Sequence, residues 1–389
     1  MNRIRKLLDF IIRFLSFLRR RDKQLIVYCG ARDLFVDNCK YQYLYNVQNM
    51  ASYRHVWLTK NENVVHRLRQ LDLEVARSDS AEGKYFLKRA GFCVFDDGLG
   101  IVDPTGLLTG SVRINLWHGI PAKYITYEKT EPEDVYNKKR SFLERIRHGH
   151  IRGDIGFSPS KKMNVFFSHF FALPEKQILI GAYPRTYPFF LRDSLLDQFL
   201  LKYENTCICE LFDELKNCGK RKYIYMPTFR DGDENYMDEA IPDWNELDCA
   251  CQKANVLFYV KVHRAAKMPD VSKLSCIRAV DKNLDVYPIL SQFDLLITDY
   301  SSIMFDFALT GNKIVLYAFD IEEYTSKSRN IYSYFWNLME RLTCVKSFKE
   351  MIAALVTGFG DVKDFPKESF FDCPQKFDTV KNFIQGRSE

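Results

Sequence analysis

The chain has 389 residues, of which 47% are hydrophobic and 27% are charged, and its formal net charge is +6. This composition excludes a disordered or fibrous chain, and the length predicts two domains of roughly 150–200 residues each. The first 23 residues hold eight basic and two acidic side chains, so the whole excess charge lies there. That distribution argues against a broad nucleic-acid surface and for one basic end.

The basic end, residues 1–23, predicts a helix with one broad apolar face and an opposite basic arc. Asp9 and Arg13 interrupt its apolar run, so it is too short to span a bilayer, and no signal-peptide cleavage site follows. We expect this amphipathic helix to lie as a peripheral contact on an anionic leaflet, at the cytoplasmic face of the cell membrane. Packing on the protein's own core is the alternative. The residues expected to contact the membrane are Arg3, Arg5, Lys6, Phe10, Arg13, Phe14 and Phe17.

Short β-rich apolar runs then alternate with helical stretches, which predicts an α/β fold with parallel sheets covered by helices. The expected strands are residues 24–29, 55–59, 92–96, 113–117, 155–158, 178–181, 222–226, 257–262, 276–280, 294–298 and 314–318. The expected helices include residues 62–71, 161–171, 208–217, 246–254, 285–292 and 302–309. Residues 127–154 show no clear strand and predict a loop or helix. Turn-forming residues cluster at 181–190, where we place the domain boundary.

Eleven cysteines are scattered along the chain without framework spacing, so we expect reduced thiols, mostly in the core. The two Cys-x-Cys pairs, Cys207/Cys209 and Cys249/Cys251, lie in helix-like segments, where side chains two residues apart diverge. No other metal-ligand cluster and no glycine-rich nucleotide motif stands out. The sequence therefore predicts no tightly bound metal and no cofactor.

Histidines follow two of the predicted strands, at the carboxyl ends where doubly wound sheets bind ligands. His118 ends the run at 113–117, and Gly119 beside it lets a backbone or ligand approach closely. His263 ends the run at 257–262. A histidine can accept a proton from an attacking hydroxyl near neutral pH. Hydrogen bonding within a turn, or an ordinary surface strand end, would explain the same residues without chemistry.

Polar residues of other kinds follow two further strands of the second half. Thr228 and Arg230 come after 222–226, and the guanidinium fork of arginine suits phosphate oxygens. Asp299, Ser301 and Ser302 precede the helix at 302–309, whose free N–H groups would favour an anion. Helix capping by the serines, and a plain polar loop, are the alternatives. The four stretches together suit the binding of a diphosphate and the activation of a hydroxyl.

These stretches resemble motifs of the CDP-glycerol glycerophosphotransferases, which build teichoic acids and related capsule polymers. LWHGIPAK is similar to the family's WHGTPLK, GAYPRTY to GYPRND, and YMPTFRDG to APTWRD. KVHRAA resembles its K-x-H stretch, and LITDYSSIMFDFA resembles ITDYSSVFFDFA. The matches run in family order from about residue 113 to residue 324, more than half of the chain.

The resemblance implies a GT-B-like fold, in which two Rossmann-like domains face a central cleft. We expect an acceptor-side domain at 24–182 and a CDP-alditol-binding domain at 183–389, after the basic helix at 1–23. His118 and His263 are implied to be catalytic, one of them as the base for the acceptor hydroxyl. The residues expected to contact the donor phosphates or nucleotide are Thr228, Arg230, Asp299, Ser301 and Ser302. Those expected on the acceptor side of the cleft are Gly119, Lys123 and Arg185.

The implied reaction is an attack by a hydroxyl of a lipid-linked glycan or polymer on the β-phosphorus of CDP-glycerol, with CMP leaving. Ile120 and Ala122 depart from the family's usual threonine and leucine, so glycerol or ribitol and the acceptor stay open. The length favours a compact transferase core, either a single-addition enzyme or a polymerase. One alternative is a sugar-nucleotide glycosyltransferase of the same fold, making capsule or lipopolysaccharide. Another is a non-catalytic scaffold docked on the membrane.

Overall fold

The structure is a computed structural model that describes residues 2–122, 152–230, 236–327 and 331–388, without the side chains of 2–8, 326 and 327. Lys123 and most of the loop or helix expected at 127–154 lie outside the described residues. The helices are α1 (Asn2–Phe17), α2 (Asp37–Asn49), α3 (Glu62–Gln70), α4 (Ala81–Arg89), α5 (Lys161–Phe171), α6 (Asp193–Tyr203), α7 (Thr206–Asn217), α8 (Tyr236–Ala240), α9 (Trp244–Ala254), α10 (Ile303–Phe307), α11 (Ile321–Lys327), α12 (Ser333–Arg341), α13 (Phe348–Val356) and α14 (Thr379–Ser388).

The strands are all parallel to their neighbours. They are β1 (Asp22–Cys29), β2 (Arg54–Thr59), β3 (Val75–Arg77), β4 (Ala90–Phe95), β5 (Val112–Asn115), β6 (Gly156–Ser158), β7 (Ile178–Ile180), β8 (Arg221–Tyr225), β9 (Val256–Val260), β10 (Ile277–Ala279), β11 (Leu295–Thr298), β12 (Lys313–Tyr317) and β13 (Thr343–Val345). The expected α/β fold with parallel sheets is therefore confirmed.

Two compact units divide the described chain. The first contains residues 2–119, 152–190 and 368–388, and the second contains 120–122, 191–230, 236–327 and 331–367. The segment that ends at residue 190 stops within the turn-rich stretch 181–190, and its 3-10 segment at 184–190 packs on α2. The chain end also returns to the first unit, where the Ala182 N–H donates to the carbonyl of Lys376.

The first unit is built on a five-stranded sheet with the order β3-β2-β1-β4-β5. A parallel bridge between Ile114 and Ile155 links it to the pair β6-β7. This is the strand order of doubly wound, Rossmann-type sheets. All six residues of β4 are buried, as expected for a parallel strand covered by helices on both faces.

The second unit repeats the same plan with a six-stranded sheet, whose order is β10-β9-β8-β11-β12-β13. Renumbered within the unit, this is again the doubly wound order, with the switch point between β8 and β11. The strands expected from the sequence are all present, and their ends lie within two residues of the expected positions. The strands β3 and β13 were not predicted, since each has three residues and no long apolar run.

Helix α1 is held to the first unit through its polar residues. Ser16 is buried, and Arg13 lies against Gly106 near the carboxylate of Asp103. Beyond the helix, the guanidinium of Arg21 donates to four carbonyl oxygens at 2.6–2.9 Å, those of Ser16, Leu87, Leu107 and Thr109. Burial lowers the pKa of Arg21 to about 10.

Four apolar side chains of α1 point outward instead. Ile11, Phe14, Leu15 and Phe17 keep 42–53% of their surface exposed. This is the reverse of the usual helix on a globular protein, which turns its apolar face to the core. Within the described residues, no helix has the length and hydropathy that crossing a bilayer requires.

We predict that Arg21→Ala loosens α1. Each lost hydrogen bond contributes about 0.5–1.5 kcal/mol, so the free energy of opening the helix should fall by about 2–3 kcal/mol. Amide hydrogen exchange of residues 9–17 should then become about 30- to 100-fold faster. Arg20→Ala, which removes an exposed side chain next to it, is the control and should leave exchange unchanged. Equal exchange in Arg21→Ala and wild type would contradict this role.

Candidate active site

Polar side chains collect at the carboxyl edge of each sheet, on both sides of its switch point. In the first unit Asp37 follows β1, Asp96 follows β4 and His118 follows β5. In the second unit Thr228 and Arg230 follow β8, His263 follows β9, Asp299 to Ser302 follow β11, and Asp320 follows β12. Ligands of doubly wound sheets bind at this edge, so both groups are candidate functional sites.

The site of the first unit centres on the carboxylate of Asp37, the first residue of α2. Its Oδ2 lies 2.9 Å from Nδ1 of His118, and its Oδ1 accepts a hydrogen bond of 2.8 Å from Nη1 of Arg185. The next residue, Asn38, accepts from the Arg185 N–H at 3.1 Å and donates to the carbonyl of Trp117 at 2.7 Å. We call Asp37, Asn38, His118 and Arg185 the Asp37 cluster.

The charges of the Asp37 cluster keep the carboxylate ionised. Burial alone would raise the pKa of Asp37, but the Arg185 guanidinium and the hydrogen bond with His118 outweigh it and hold that pKa well below its usual range. The Arg185 side chain is 5% exposed, whereas the His118 side chain is 33% exposed. The imidazole therefore faces a buried anion on one side and is accessible on the other.

The backbone around His118 is unusual on both sides. Trp117 has φ 58° and Gly119 has φ 95°, which lie in the left-handed region. Gly119 adopts this conformation without a Cβ clash, which explains why a glycine occupies the position. A tryptophan in this region is strained, and such residues cluster at functional sites. The Trp117 ring lies 4.5 Å from that of Phe170 and 4.7 Å from the His118 ring.

The site of the second unit centres on the guanidinium of Arg230. Its Nη2 donates to Asp299 and to Asp320, both at 2.9 Å, its Nε donates to Asp320 at 2.6 Å, and its Nη1 donates to the Thr228 carbonyl at 2.6 Å. Asp299 also accepts from the N–H groups of Thr228 and Tyr300. We call Arg230, Asp299 and Asp320 the Arg230 cluster.

The Arg230 cluster ties together the loops that follow β8, β11 and β12. Burial alone would lower the pKa of Arg230, but Asp299 and Asp320 raise it above its ordinary value. The guanidinium carbon also lies 4.8–5.7 Å from four ring centres, those of Tyr236, Tyr300, Phe319 and Tyr324. Arg230 is thus engaged by internal partners, and it shapes the edge on which Thr228 and Ser301 sit.

The hydroxyl groups at this edge make fewer hydrogen bonds within the protein than the Arg230 guanidinium does. Thr228 is buried, and its hydroxyl has no hydrogen-bond partner in the described part of the chain. The alternative role of a helix cap is not seen for Ser302, whose hydroxyl makes no cap hydrogen bond. Instead the N–H groups of Met304 and Phe305 reach the carbonyls of Ser301 and Ser302 in a tight turn. Both serines are partly exposed.

His263 is placed differently from His118. Its Nδ1 accepts a hydrogen bond of 3.3 Å from the Ala265 N–H, and its ring lies 5.0 Å from that of Phe229. A neutral imidazole whose Nδ1 accepts carries its proton on Nε2. Lys261, two residues earlier, is turned to the carbonyl of Lys282 at 3.2 Å, and burial lowers its pKa.

Three carboxylates of these sites were missed by the sequence reasoning, namely Asp37, Asp96 and Asp320. Each follows a strand at the carboxyl edge, so the rule that singled out His118 would have found them too. The expected divergence of the Cys-x-Cys pair in α9 is seen, since Cys249 is exposed and Cys251 is buried. Among the described residues, no group of three or more histidine, cysteine or acidic side chains is arranged to hold a metal ion.

A cavity also opens at the opposite, amino edge of the sheet of the second unit. Its lining includes Arg221, Asp294 and Lys313, and its volume is about 340 Å³. The basic groups there already have partners, because Arg221 donates to the Ala254 carbonyl and Lys313 pairs with Asp364. This cavity does not combine a histidine with the hydroxyl groups that mark the carboxyl edge.

The family model of the CDP-glycerol:poly(glycerophosphate) glycerophosphotransferases matches residues 11–365. The chain belongs to this family. The resemblance carried by the WHG, YPR, PTFRD and TDYSS motifs is thereby confirmed.

Curated relatives of the chain are teichoic acid enzymes. The teichoic acid ribitol-phosphate polymerase TarK of Staphylococcus aureus is 26% identical over 283 residues, which cover 70% of this chain and 51% of TarK. The teichoic acid glycerol-phosphate primase of Bacillus subtilis is 25% identical over 283 residues, which cover 70% of this chain and 68% of the primase. The chain therefore spans about half the length of TarK and about two thirds of the primase.

Among solved structures, the wall teichoic acid polymerase TagF has a TM-score of 0.71 at 20% identity, covering 100% of this chain and 98% of that chain. This likeness shows the α/β fold with parallel sheets. Further TagF structures carry a histidine replaced by alanine or asparagine, and an asparagine variant was soaked with CDPG.

We predict that the Arg230 cluster is a major support of the second unit. Arg230→Met leaves Asp299 as a buried, uncompensated anion, and should lower the free energy of unfolding by about 3–5 kcal/mol. Guanidinium chloride unfolding measures the change. Arg278→Met is the matched control, since Arg278 is half exposed and 3.6 Å from Glu214, and it should cost less than about 1 kcal/mol. Equal losses in the two variants would contradict the prediction.

Proposed function

We propose that this protein transfers glycerol phosphate from CDP-glycerol to a hydroxyl of a membrane lipid-linked glycan or polymer, releasing CMP, in the synthesis of a teichoic-acid-like or capsule polymer. The observation that carries the proposal is the pairing of His118 with the ionised carboxylate of Asp37, at the carboxyl edge of a sheet, in a chain of this family. A histidine paired in this way is equipped to accept a proton from a hydroxyl.

The reaction is a single displacement at phosphorus. The acceptor oxygen forms a bond to the β-phosphorus of CDP-glycerol, the phosphorus that bears glycerol, and its proton passes to His118. The bond from that phosphorus to the oxygen bridging it to the cytidine phosphate breaks, and CMP leaves with the electron pair. Positioning and electrostatic stabilisation supply most of the rate enhancement in reactions of this class.

The donor contacts are assigned to the second unit. We propose that Thr228, Ser301, Ser302 and His263 donate hydrogen bonds to the diphosphate, because the Thr228 hydroxyl lacks a partner and Ser302 is not used as a cap. Arg230 and Asp299 serve indirectly, since they bind each other and hold the loops that carry these groups. The soak of a TagF histidine variant with CDPG agrees with a CDP-alditol as ligand.

The two units are proposed to be the acceptor-side and donor-side domains of a GT-B-like enzyme. The support is that each sheet by itself has the doubly wound strand order and that each carries its polar groups at the carboxyl edge. Gly119, Lys123 and Arg185 remain assigned to the acceptor side, with Lys123 outside the described residues. Arg185 acts there through Asp37, which its guanidinium contacts.

We propose that α1 places the enzyme on an anionic membrane, at the cytoplasmic face where lipid-linked acceptors would be met. Its outward apolar residues Phe14, Leu15 and Phe17, and the exposed Arg19 and Arg20 that follow, suit the boundary between headgroups and acyl chains. Arg13 is reassigned from lipid contact to holding the helix, because it lies against Gly106. The side chains of Arg3, Arg5 and Lys6 are not among those described.

CDP-ribitol is the second candidate donor. The relative TarK is a ribitol-phosphate polymerase of the same degree of identity as the glycerol-phosphate primase. Both donors therefore enter the test.

We predict acceptor-dependent release of CMP from CDP-glycerol or CDP-ribitol by the purified protein with a membrane-lipid extract. His118→Ala should lower the rate by about 10²- to 10⁴-fold, because the base is lost. His66→Ala, which removes an exposed histidine of α3, is the control and should keep the wild-type rate.

Two results would reject the proposed function. One is the absence of CMP from both donors with an extract in which a known enzyme of the family is active. The other is UDP or GDP release from a sugar nucleotide under the same conditions, which would make the protein a glycosyltransferase. Full activity of His118→Ala would remove the histidine from the mechanism.

We predict that the double variant Phe14→Glu/Leu15→Glu loses binding to phosphatidylglycerol vesicles. Each substitution replaces an apolar contact with the acyl chains by a negative charge, which the anionic surface repels. The affinity for the vesicles should therefore fall at least about tenfold. Co-sedimentation with the vesicles measures it. Leu201→Glu is the control, because Leu201 is 78% exposed on α6 of the second unit. Equal binding by both variants would contradict the assignment of α1.

A further inference from the structure

We infer that Asp37, supported by Arg185, is the positioning residue that fixes His118 with its proton on Nδ1 and its Nε2 lone pair facing the acceptor hydroxyl. This inference rests on the proposed function, since it assigns the orientation of the proposed base. Neither Asp37 nor the contact between Asp37 and Arg185 belongs to the motifs that revealed the family.

The hydrogen bond between Asp37 and His118 has only one arrangement when the carboxylate is ionised. A carboxylate can only accept, so the hydrogen on the 2.9 Å contact must come from Nδ1 of His118. The neutral imidazole then has no hydrogen on Nε2, which can take the proton of a hydroxyl. When it does, the resulting imidazolium lies against the Asp37 anion and is stabilised by it.

Arg185 prevents the carboxylate from turning or becoming neutral. Its Nη1 occupies the second Asp37 oxygen at 2.8 Å, and its own N–H is held by the side chain of Asn38. The same helix end is fixed on its other side, where Asp96 accepts from the Cys39 N–H at 2.9 Å. Asp37, Asn38 and Cys39, three consecutive residues of α2, therefore contact three separate chain segments. These segments carry Asp96, His118 and Arg185.

Two further ionisable groups, Asp96 and Cys39, lie at this end of α2. Asp96 is fully buried, and burial together with the nearby Asp37 raises its pKa well above the usual range. The direction of this shift disfavours a second negative charge beside the imidazole. Burial likewise raises the pKa of the Cys39 thiol, which donates to the Val94 carbonyl. Arg185 is the cation that balances Asp37.

The second histidine has a different contact at Nδ1. Nδ1 of His263 accepts from a backbone N–H, so its neutral form has the proton on Nε2 and is a donor there. The two histidines thus present opposite groups, a lone pair from His118 and an N–H from His263. This division of roles follows from one carboxylate and one backbone amide, and it assigns the base to the first unit.

Asp37→Asn provides a sharp test because Arg185 decides how the asparagine is oriented. The guanidinium needs an acceptor, so the amide oxygen must face Arg185 and the amide NH₂ must face His118. Nδ1 of His118 would then have to accept, which moves its proton to Nε2. The substitution keeps the volume of the side chain and reverses the tautomer of the histidine.

The tautomer is read directly by nitrogen-15 NMR of histidine-labelled full-length protein, with His118→Ala used to assign the signals of the seven histidines. We expect Nδ1–H and bare Nε2 in the wild type, and Nε2–H in Asp37→Asn. Asp96→Asn is the matched control, since an asparagine can still accept from Cys39 at the same helix end. It should retain the wild-type tautomer. This measurement needs no substrate.

Kinetics of CMP release complete the test. Asp37→Asn should lower kcat by about 10²- to 10⁴-fold with KM for CDP-glycerol changed less than about threefold. In the His118→Ala background the same substitution should have no further effect, because Asp37 acts through His118. A purely structural role would lower both backgrounds alike and would show as a reduced melting temperature.

The outcomes separate the inference from the proposed function. Active wild type with Nε2–H on His118, or Asp37→Asn with unchanged kcat, overturns the inference and leaves the transferase in place. Additive losses in the two backgrounds also overturn it. No CMP release by the wild type rejects the proposed function, whichever tautomer the spectra show.

Discussion

The carboxylate of Asp37 is the contact on which the first site depends. It is shared between a histidine 81 residues away and an arginine 148 residues away, and all three are brought together by the start of one helix. The arrangement exists because α2 begins at the switch point of a doubly wound sheet, where the ends of β1, β4 and β5 converge. Strained backbone at Trp117 and a glycine at 119 then turn the imidazole toward the carboxylate.

In the second unit the charges are reversed, since a buried cation is shared by two anions. There a buried guanidinium is shared by Asp299 and Asp320, and it joins the loops that follow β8, β11 and β12. Breaking either cluster would leave a buried charge without its partner, which is far more costly than losing a surface ion pair. In both units the ion pairs hold the loops at the edge of the sheet. The hydroxyl groups and a partly exposed imidazole remain available to bind a ligand.

Much of this could be predicted from the sequence. Parallel strands covered on both faces consist of short apolar runs, so eleven strands could be predicted with ends within one or two residues of those observed. The strands β3 and β13 were missed because three residues are too few to form such a run. His118 and His263 were found because strand ends are where polar residues stand out. Asp37 follows β1 and could have been selected by the same rule, but nothing local to residues 30–37 reveals its contact with Arg185. The role expected of Arg230 changed for the same reason, because its carboxylate partners lie 69 and 90 residues away.

A crystal structure of His118→Asn with CDP-glycerol would show directly whether the carboxyl edge of the second sheet binds the donor. We expect the diphosphate within hydrogen-bond distance of Thr228, Ser301 or Ser302, with Arg230 still bound to Asp299. A nucleotide found at the amino edge of the same sheet, in the cavity lined by Arg221 and Lys313, would contradict it.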